Sequence, residues 1–301
     1  MDKLRISIVQ YLNTAPLVRG FTHGPLRGKY ELSFTVPSQC AEALRSGAAD
    51  VAIIPAIEYQ RMDGVVVLPD LSIAANRSVR SLLLLARKPI REARRIALDR
   101  SSRSTQALVR VLCAEHWKIA PEFIEAAPDA ATMLAEADAA LVIGDPALRL
   151  AIRIEPAARR DPSGALVCAP SDAGLAIPRT ESLCVYDVVE HWRAMTGLPA
   201  VMAFWAARRV VATSEMLADF LFSREYGIAR IDDISAEAAR ELRLPAAALA
   251  SYLRENIDFT LDAENRRGLE LYFERCAALG LIPQAKPIEW AALAAGARTA
   301  T

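Results

Sequence analysis

The chain has 301 residues, 53% hydrophobic and 24% charged, with 36 basic against 36 acidic side chains. That length suits about two domains burying roughly three quarters of their unfolded surface, so a core needs neither disulfide nor metal. Balanced charge and a mean hydropathy of +0.18 exclude a disordered chain. They also argue against nucleic acid, whose phosphates are bound by surplus Lys and Arg, and leave a small molecule as the expected partner.

Leu4–Val9 alternates as a strand, with no export signal ahead of it, which predicts a cytoplasmic protein. Further strands are expected at Tyr30–Val36, Asp50–Ile54, Ser78–Ala86, Arg95–Asp99, Glu122–Ala126, Ala139–Ile143 and Ala200–Ala207, separated by amphipathic stretches of helical period. This alternation predicts an α/β fold with mixed, helix-covered sheets. From Thr213 the pattern turns helical: Glu215–Tyr226, Ala236–Leu242, Ala246–Asn256 and Asp262–Leu279, with Gly280 as the expected stop. The Ala-rich tail after Trp290 is expected to fray. The longest apolar stretches, such as Val65–Leu68 and Leu82–Ala86, fall far short of the ~20 residues of a membrane helix.

The regularity that bears on function lies where strands lead into helices. Small polar residues recur in Tyr11-Leu12-Asn13-Thr14 before Pro16, in Pro37-Ser38-Gln39, in Pro55-Ala56-Ile57-Glu58-Tyr59, in Arg100-Ser101-Ser102-Arg103-Ser104-Thr105, and in Gly144-Asp145-Pro146. In open α/β sheets, strand carboxyl ends and helix N-termini share one crevice whose free N–H groups favour anions, so these junctions predict a carboxylate pocket. A single Ser or Thr there is ordinarily a helix cap. The run Ser101–Thr105 offers four hydroxyls and an arginine where one cap suffices, and the surplus points to a ligand. Asn13 has a capping alternative, Ser81 a neutral place on a strand, and Asp145 a helix-dipole role.

Five cysteines, odd in number and never spaced C-x-x-C, and three histidines far apart in sequence predict neither a disulfide framework nor a metal site. His191, beside Trp192 on a helical stretch, reads as a packed face. Phosphate-loop, dinucleotide and nucleophile-elbow motifs are missing, so nucleotide and serine-hydrolase functions have no motif support.

Tyr11–Leu17, Ala49–Tyr59, Val79-Arg80-Ser81, Leu98–Ser104 and Leu141–Leu148 together resemble the chorismate dehydratase family of the futalosine route to menaquinone. The resemblance continues through Tyr186-Asp187, Trp192, Thr196–Pro199, Trp205–Arg208 and Asn256–Leu261. It implies a type II periplasmic-binding-protein fold, with two α/β lobes that close over a ligand. Residues 1–88 plus 199–301 are expected in the larger lobe and 89–198 in the smaller, with crossings near Leu85–Lys88 and Pro199–Ala203. It also implies a hydro-lyase that converts chorismate to 3-[(1-carboxyvinyl)oxy]benzoate and water with no cofactor.

Asn13 and Ser81 are then the expected catalytic residues. Tyr11, Thr14, Ser38, Pro55, Arg80, Ser101, Ser102, Arg103, Ser104, Thr105, Gly144 and Asp145 are expected to bind substrate. Few of these are bases, which favours the substrate's own enolpyruvyl carboxylate as proton acceptor. A monomer or homodimer is expected, with no nucleic-acid or membrane partner.

Two alternatives share the fold. The related dihydroxynaphthoate synthase relies on a histidine in the smaller lobe, where this chain reads Ile143-Gly144-Asp145. A non-enzymatic carboxylate-binding protein would carry an export signal, which Met1–Val9 does not offer.

Overall fold

A computed structural model describes residues 3–177 and 182–292. The strands are β1 (Arg5–Val9), β2 (Glu31–Thr35), β3 (Val51–Pro55), β4 (Val65–Ala75), β5 (Leu82–Ala86), β6 (Arg95–Asp99), β7 (Glu122–Ala126), β8 (Ala139–Ile143), β9 (Arg159–Arg160), β10 (Leu166–Cys168), β11 (Leu183–Asp187) and β12 (Ala200–Arg208). The helices are α1 (Ala15–Thr22), α2 (Pro37–Ser46), α3 (Ala56–Tyr59), α4 (Arg103–Val111), α5 (Ala130–Glu136), α6 (Gly144–Ile154), α7 (Val188–Thr196), α8 (Ser214–Ile228), α9 (Ile231–Leu242), α10 (Ala246–Ser251) and α11 (Ala263–Ala278).

The strands form a five-stranded sheet in the order β2-β1-β3-β12-β4 and a seven-stranded sheet in the order β7-β6-β8-β5-β11-β10-β9. In the first sheet β1 runs parallel to β2 and β3, while β12 is antiparallel to β3 and β4. In the second, β6 is parallel to β7 and β8, and β5 is antiparallel to β8 and β11. Helices cover both faces of the central strands, so β3 (VAIIP), β5 (LLLLA) and β8 (AALVI) are buried at every position. The edge strand β2 remains largely exposed.

The chain crosses between sheets through residues 76–81 and returns through 197–199. This corrects the first expected crossing at Leu85–Lys88. Leu82–Ala86 is a central strand of the second sheet, because its uninterrupted apolar run requires cover on both faces. The return crossing ends at Ala200, where β12 pairs with Ala75.

The C-terminal helices pack mainly on the first sheet. Helix α8 lies so close to α1 that a Cβ at Gly227 would sit 1.9 Å from the Pro16 carbonyl oxygen. Ser223 Oγ accepts from the Gly20 N–H and donates to the Leu17 carbonyl. This packing fixes α1, whose N-terminus faces the second lobe. The tail beyond residue 292, expected to fray, lies outside the described residues.

Candidate functional site

Helices α1, α2, α3, α4 and α6 begin at the five junctions picked out by sequence, and none has a side-chain cap. By contrast, α5, α7, α8 and α11 are capped by Asp129, Asp187, Thr213 and Asp262. An uncapped helix start leaves N–H groups for another acceptor, and the macrodipole favours an anion there. Ser102 takes the cap position of α4 without a side-chain bond to its backbone, and its hydroxyl donates to Thr105 Oγ1 at 2.8 Å. Ser101 donates from both N–H and hydroxyl to Asp99, whose carboxyl is raised by burial.

The junctions of the two lobes meet directly. Leu12 N–H donates to Asp145 Oδ1 at 3.0 Å. Ser38 N–H donates to the Ser101 carbonyl at 3.2 Å, and Ile57 N–H to Ser104 Oγ at 3.2 Å. Gly144 has φ +66°, and a Cβ there would stand 2.7 Å from the Tyr11 ring, so only glycine lets that ring lie against β8's end. These contacts hold helix starts of the first sheet against those of the second.

Ser81 ends the first crossing and is buried; its carbonyl accepts from Gly144 N–H, and its hydroxyl accepts from the Tyr252 phenol at 2.8 Å. Asn13 stands beside the same phenol, with Oδ1 near the Thr14 hydroxyl. The structure thus brings Tyr11, Asn13, Thr14, Ser81, Gly144 and Asp145 together, and joins Ser38 and Ser101–Thr105 across the lobes. Pro55 closes β3, buried and opposite Ala203. Tyr252 was missed by sequence reasoning; its signal was a tyrosine and Asn256 four apart on one helical face.

Both arginines expected to bind substrate are engaged with carboxylates. Arg80 pairs with Glu155 at 2.6 Å while its N–H donates to Asp187. Arg103 reaches across to Glu58, which is fully buried and also paired with Arg45 and Arg61. A buried carboxylate is tolerated only when compensated, and these three guanidiniums hold its pKa below the ordinary range against the effect of burial. Arg103 thus links the start of α4 to α3, and Arg80 is engaged by Glu155.

Asp145 is the carboxyl of this cluster: burial pushes it up to about 6, opposed by the Leu12 N–H and Arg149. His116 Nε2 and His191 Nδ1 face each other at 3.2 Å among Trp117 and Tyr186, within the second lobe. A cavity of about 330 Å³, lined by Tyr11, Leu12, Thr14, Asp145, Arg19 and Glu241, opens on the flank of the site. Its size falls within the ~300–1,000 Å³ typical of small-molecule pockets. Among the described residues, no group of three or more His, Cys, Asp or Glu is placed to hold a metal ion, and no helix is long and apolar enough to cross a membrane.

A family described as menaquinone biosynthesis matches residues 4–278. The chain belongs to this family. Within the range of this menaquinone biosynthesis family match, a chorismate dehydratase from Thermus thermophilus is 28% identical over 280 residues, covering 92% of this chain and 95% of the relative. Among solved structures, protein AF1704 from Archaeoglobus fulgidus superposes with a TM-score of 0.68 at 19% identity, covering 93% and 98% of the two chains. The alkanesulfonate-binding protein SsuA from Xanthomonas axonopodis pv. citri, bound to MOPS, gives a TM-score of 0.62 at 15% identity, covering 93% and 94%. Those two likenesses show the periplasmic-binding-protein-type fold, as expected from sequence.

Proposed function

We propose that this member of the menaquinone biosynthesis family is a chorismate dehydratase of the futalosine route, acting in the cytoplasm. The observation that supports the reading is the meeting of the α1 junction, which carries Asn13, with the α6 junction at Ser81, whose carbonyl accepts from Gly144 N–H. Chorismate has two carboxylates, one on the ring and one on the enolpyruvyl ether, and such a site offers them the Asn13 amide, the Ser81 hydroxyl and the hydroxyls of the α4 start. The T. thermophilus relative supports the same substrate. Five free, buried cysteines suit a reducing compartment.

The reaction removes the ring hydroxyl and the hydrogen on the ether-bearing carbon, giving 3-[(1-carboxyvinyl)oxy]benzoate and water. Aromatisation drives it, so the protein's task is orientation and stabilisation of the leaving hydroxyl. In this reading Asn13 and Ser81 hold the enolpyruvyl carboxylate against the ring carbon whose proton it takes. The α4 junction, with Ser104 and Thr105, holds the ring carboxylate. Lobe closure strips water from both.

Asp145 is a second acceptor candidate, favoured by its raised pKa at the same cluster. Converting the enolpyruvyl carboxylate to an amide separates the two. If the substrate carboxylate is the base, the amide binds in competition with chorismate and does not turn over; sustained turnover moves the role to an enzyme side chain.

A further inference from the structure

The C-terminal helices reach the site at one point. Helix α10 continues into a π-helical turn, Tyr252–Asn256, a wide turn that recurs at functional positions. Residues four apart project from one face, and here both contact the first crossing. Tyr252 donates from its phenol to Ser81 Oγ at 2.8 Å. Asn256 Nδ2 donates to the Ser78 carbonyl at 3.0 Å and lies 3.2 Å from the Ser78 hydroxyl.

Between these anchors, the N–H groups of Val79 and Arg80 donate to Asp187 Oδ2 at 2.8 and 2.7 Å. Arg80 sits at φ +60°, a left-handed conformation that a bulky side chain adopts only when its surroundings impose it. The crossing is therefore fixed from both sides: Asp187 holds its middle and the π turn holds its ends.

Tyr252 is only 1% exposed, so its hydroxyl depends on an internal partner. The phenol is the more acidic of the two hydroxyls and is the natural donor. A serine hydroxyl has one proton and can accept on its lone pairs. With Tyr252 donating to Ser81 Oγ, the Ser81 proton must point elsewhere, and Asn13, the other expected catalytic residue, stands at the same phenol.

We infer that Tyr252 is a positioning residue, which sets the Ser81 hydroxyl so that its proton is presented to the substrate carboxylate. This rests on the dehydratase reading. It adds a role for the C-terminal helical block: the block reads the position of the crossing and passes it to the reacting group.

The test is a cycle of Tyr252→Phe, Ser81→Ala and the double variant, with chorismate turnover and melting temperature followed for each. Tyr252→Phe should lower kcat by about tenfold with KM changed less than about twofold. The double variant should be no slower than Ser81→Ala alone, because a phenol that acts through Ser81 has nothing left to position. A kcat for Tyr252→Phe equal to that of the active parent, or independent losses that multiply in the double variant, overturns the inference and leaves the dehydratase reading standing. An inert parent protein overturns both. Should Tyr252→Phe lose its folded transition, Asn256→Ala replaces it in the cycle. Its kcat must then fall in the parent and be unaffected in the Ser81→Ala background; an unchanged kcat in the parent overturns the inference.

Discussion

Gly144→Ala separates lobe closure from folding. The residue sits at φ +66°, where an L side chain costs about 1–2 kcal/mol, and its new Cβ would lie 2.7 Å from the Tyr11 ring. The backbone cost is present whether the lobes are open or closed. The collision is different: Tyr11 follows β1 of the first sheet while Gly144 follows β8 of the second, so in the two-lobe reading the ring is met only on closure. Overpacking of this kind costs about 1–3 kcal/mol, which is about a 5- to 150-fold loss of ligand affinity if closure accompanies binding. Gly197→Ala supplies the control: φ is +72° and nothing lies within 4 Å of its Cβ. Both variants should melt a few degrees below the parent, as about 1–2 kcal/mol of strain implies. Calorimetric titration with the dehydration product should then show weakened binding in Gly144→Ala alone. Equal affinities in the two variants would refute the idea that the Tyr11–Gly144 contact is part of the closed, binding-competent state.

Asn13→Ala and Ser81→Ala should each lower kcat about 10²-fold or more while the protein stays folded; a near-parental rate in either folded variant ends its catalytic assignment. Ser104→Ala with Thr105→Ala should raise KM more than it lowers kcat, since it removes the acceptor for Ile57 N–H and a hydroxyl pair at the α4 start; unchanged affinity by titration rejects a ligand role. Asp145 has its carboxyl raised from 3.8 to about 6, so the fold disfavours its charge: stability is full near pH 4, falls as pH rises to about 6, and stays low above. Asp145→Asn should therefore be more stable than the parent at pH 7, by up to about 3 kcal/mol, with the gap closing toward pH 4 in denaturant titrations. Its kcat should be retained if the substrate supplies the base; a loss of about 10² would make Asp145 the acceptor. His191 is lowered from 6.5 to about 4, chiefly by burial, so stability is lost as pH falls from about 6.5 toward 4, and His191→Gln should flatten that limb.

Strands β6, β7 and β8 fall at the residues predicted: β8 (AALVI) is an apolar run, and β6 (RIALD) and β7 (EFIEA) carry apolar centres behind a charged first residue. Strand β4 was not legible: Pro69 and Asp70 interrupt its alternation, and Asp70 takes φ +60°, so only Val65–Leu68 stood out as apolar. The short antiparallel strands β9 and β10 carry too few residues for a period to show, and β11 (LCVYD), as long as β6, was not singled out as a strand. The lobe boundary was misplaced because five consecutive apolar residues fit the centre of either sheet, and only pairing with β8 and β11 decides between them.

At the site, local chemistry was readable and distant partners were not. Asn13, Ser101–Thr105 and Gly144–Asp145 announce themselves by standing where strands turn into helices. The arginine that looked free for a ligand is tied to Glu58, 45 residues away, and the phenol on Ser81 comes from 171 residues away. No periodicity encodes such contacts; they follow from the packing of the C-terminal helices and from the need to neutralise a buried carboxylate.

The most direct test is to incubate the purified protein with chorismate and follow the mixture by mass spectrometry and ultraviolet absorption. A dehydratase converts chorismate steadily to a species lighter by one water with a benzoate chromophore, at a rate that collapses in Ser81→Ala. Chorismate recovered unchanged from the folded parent protein, or consumed to a product that has not lost water, would contradict the dehydratase reading.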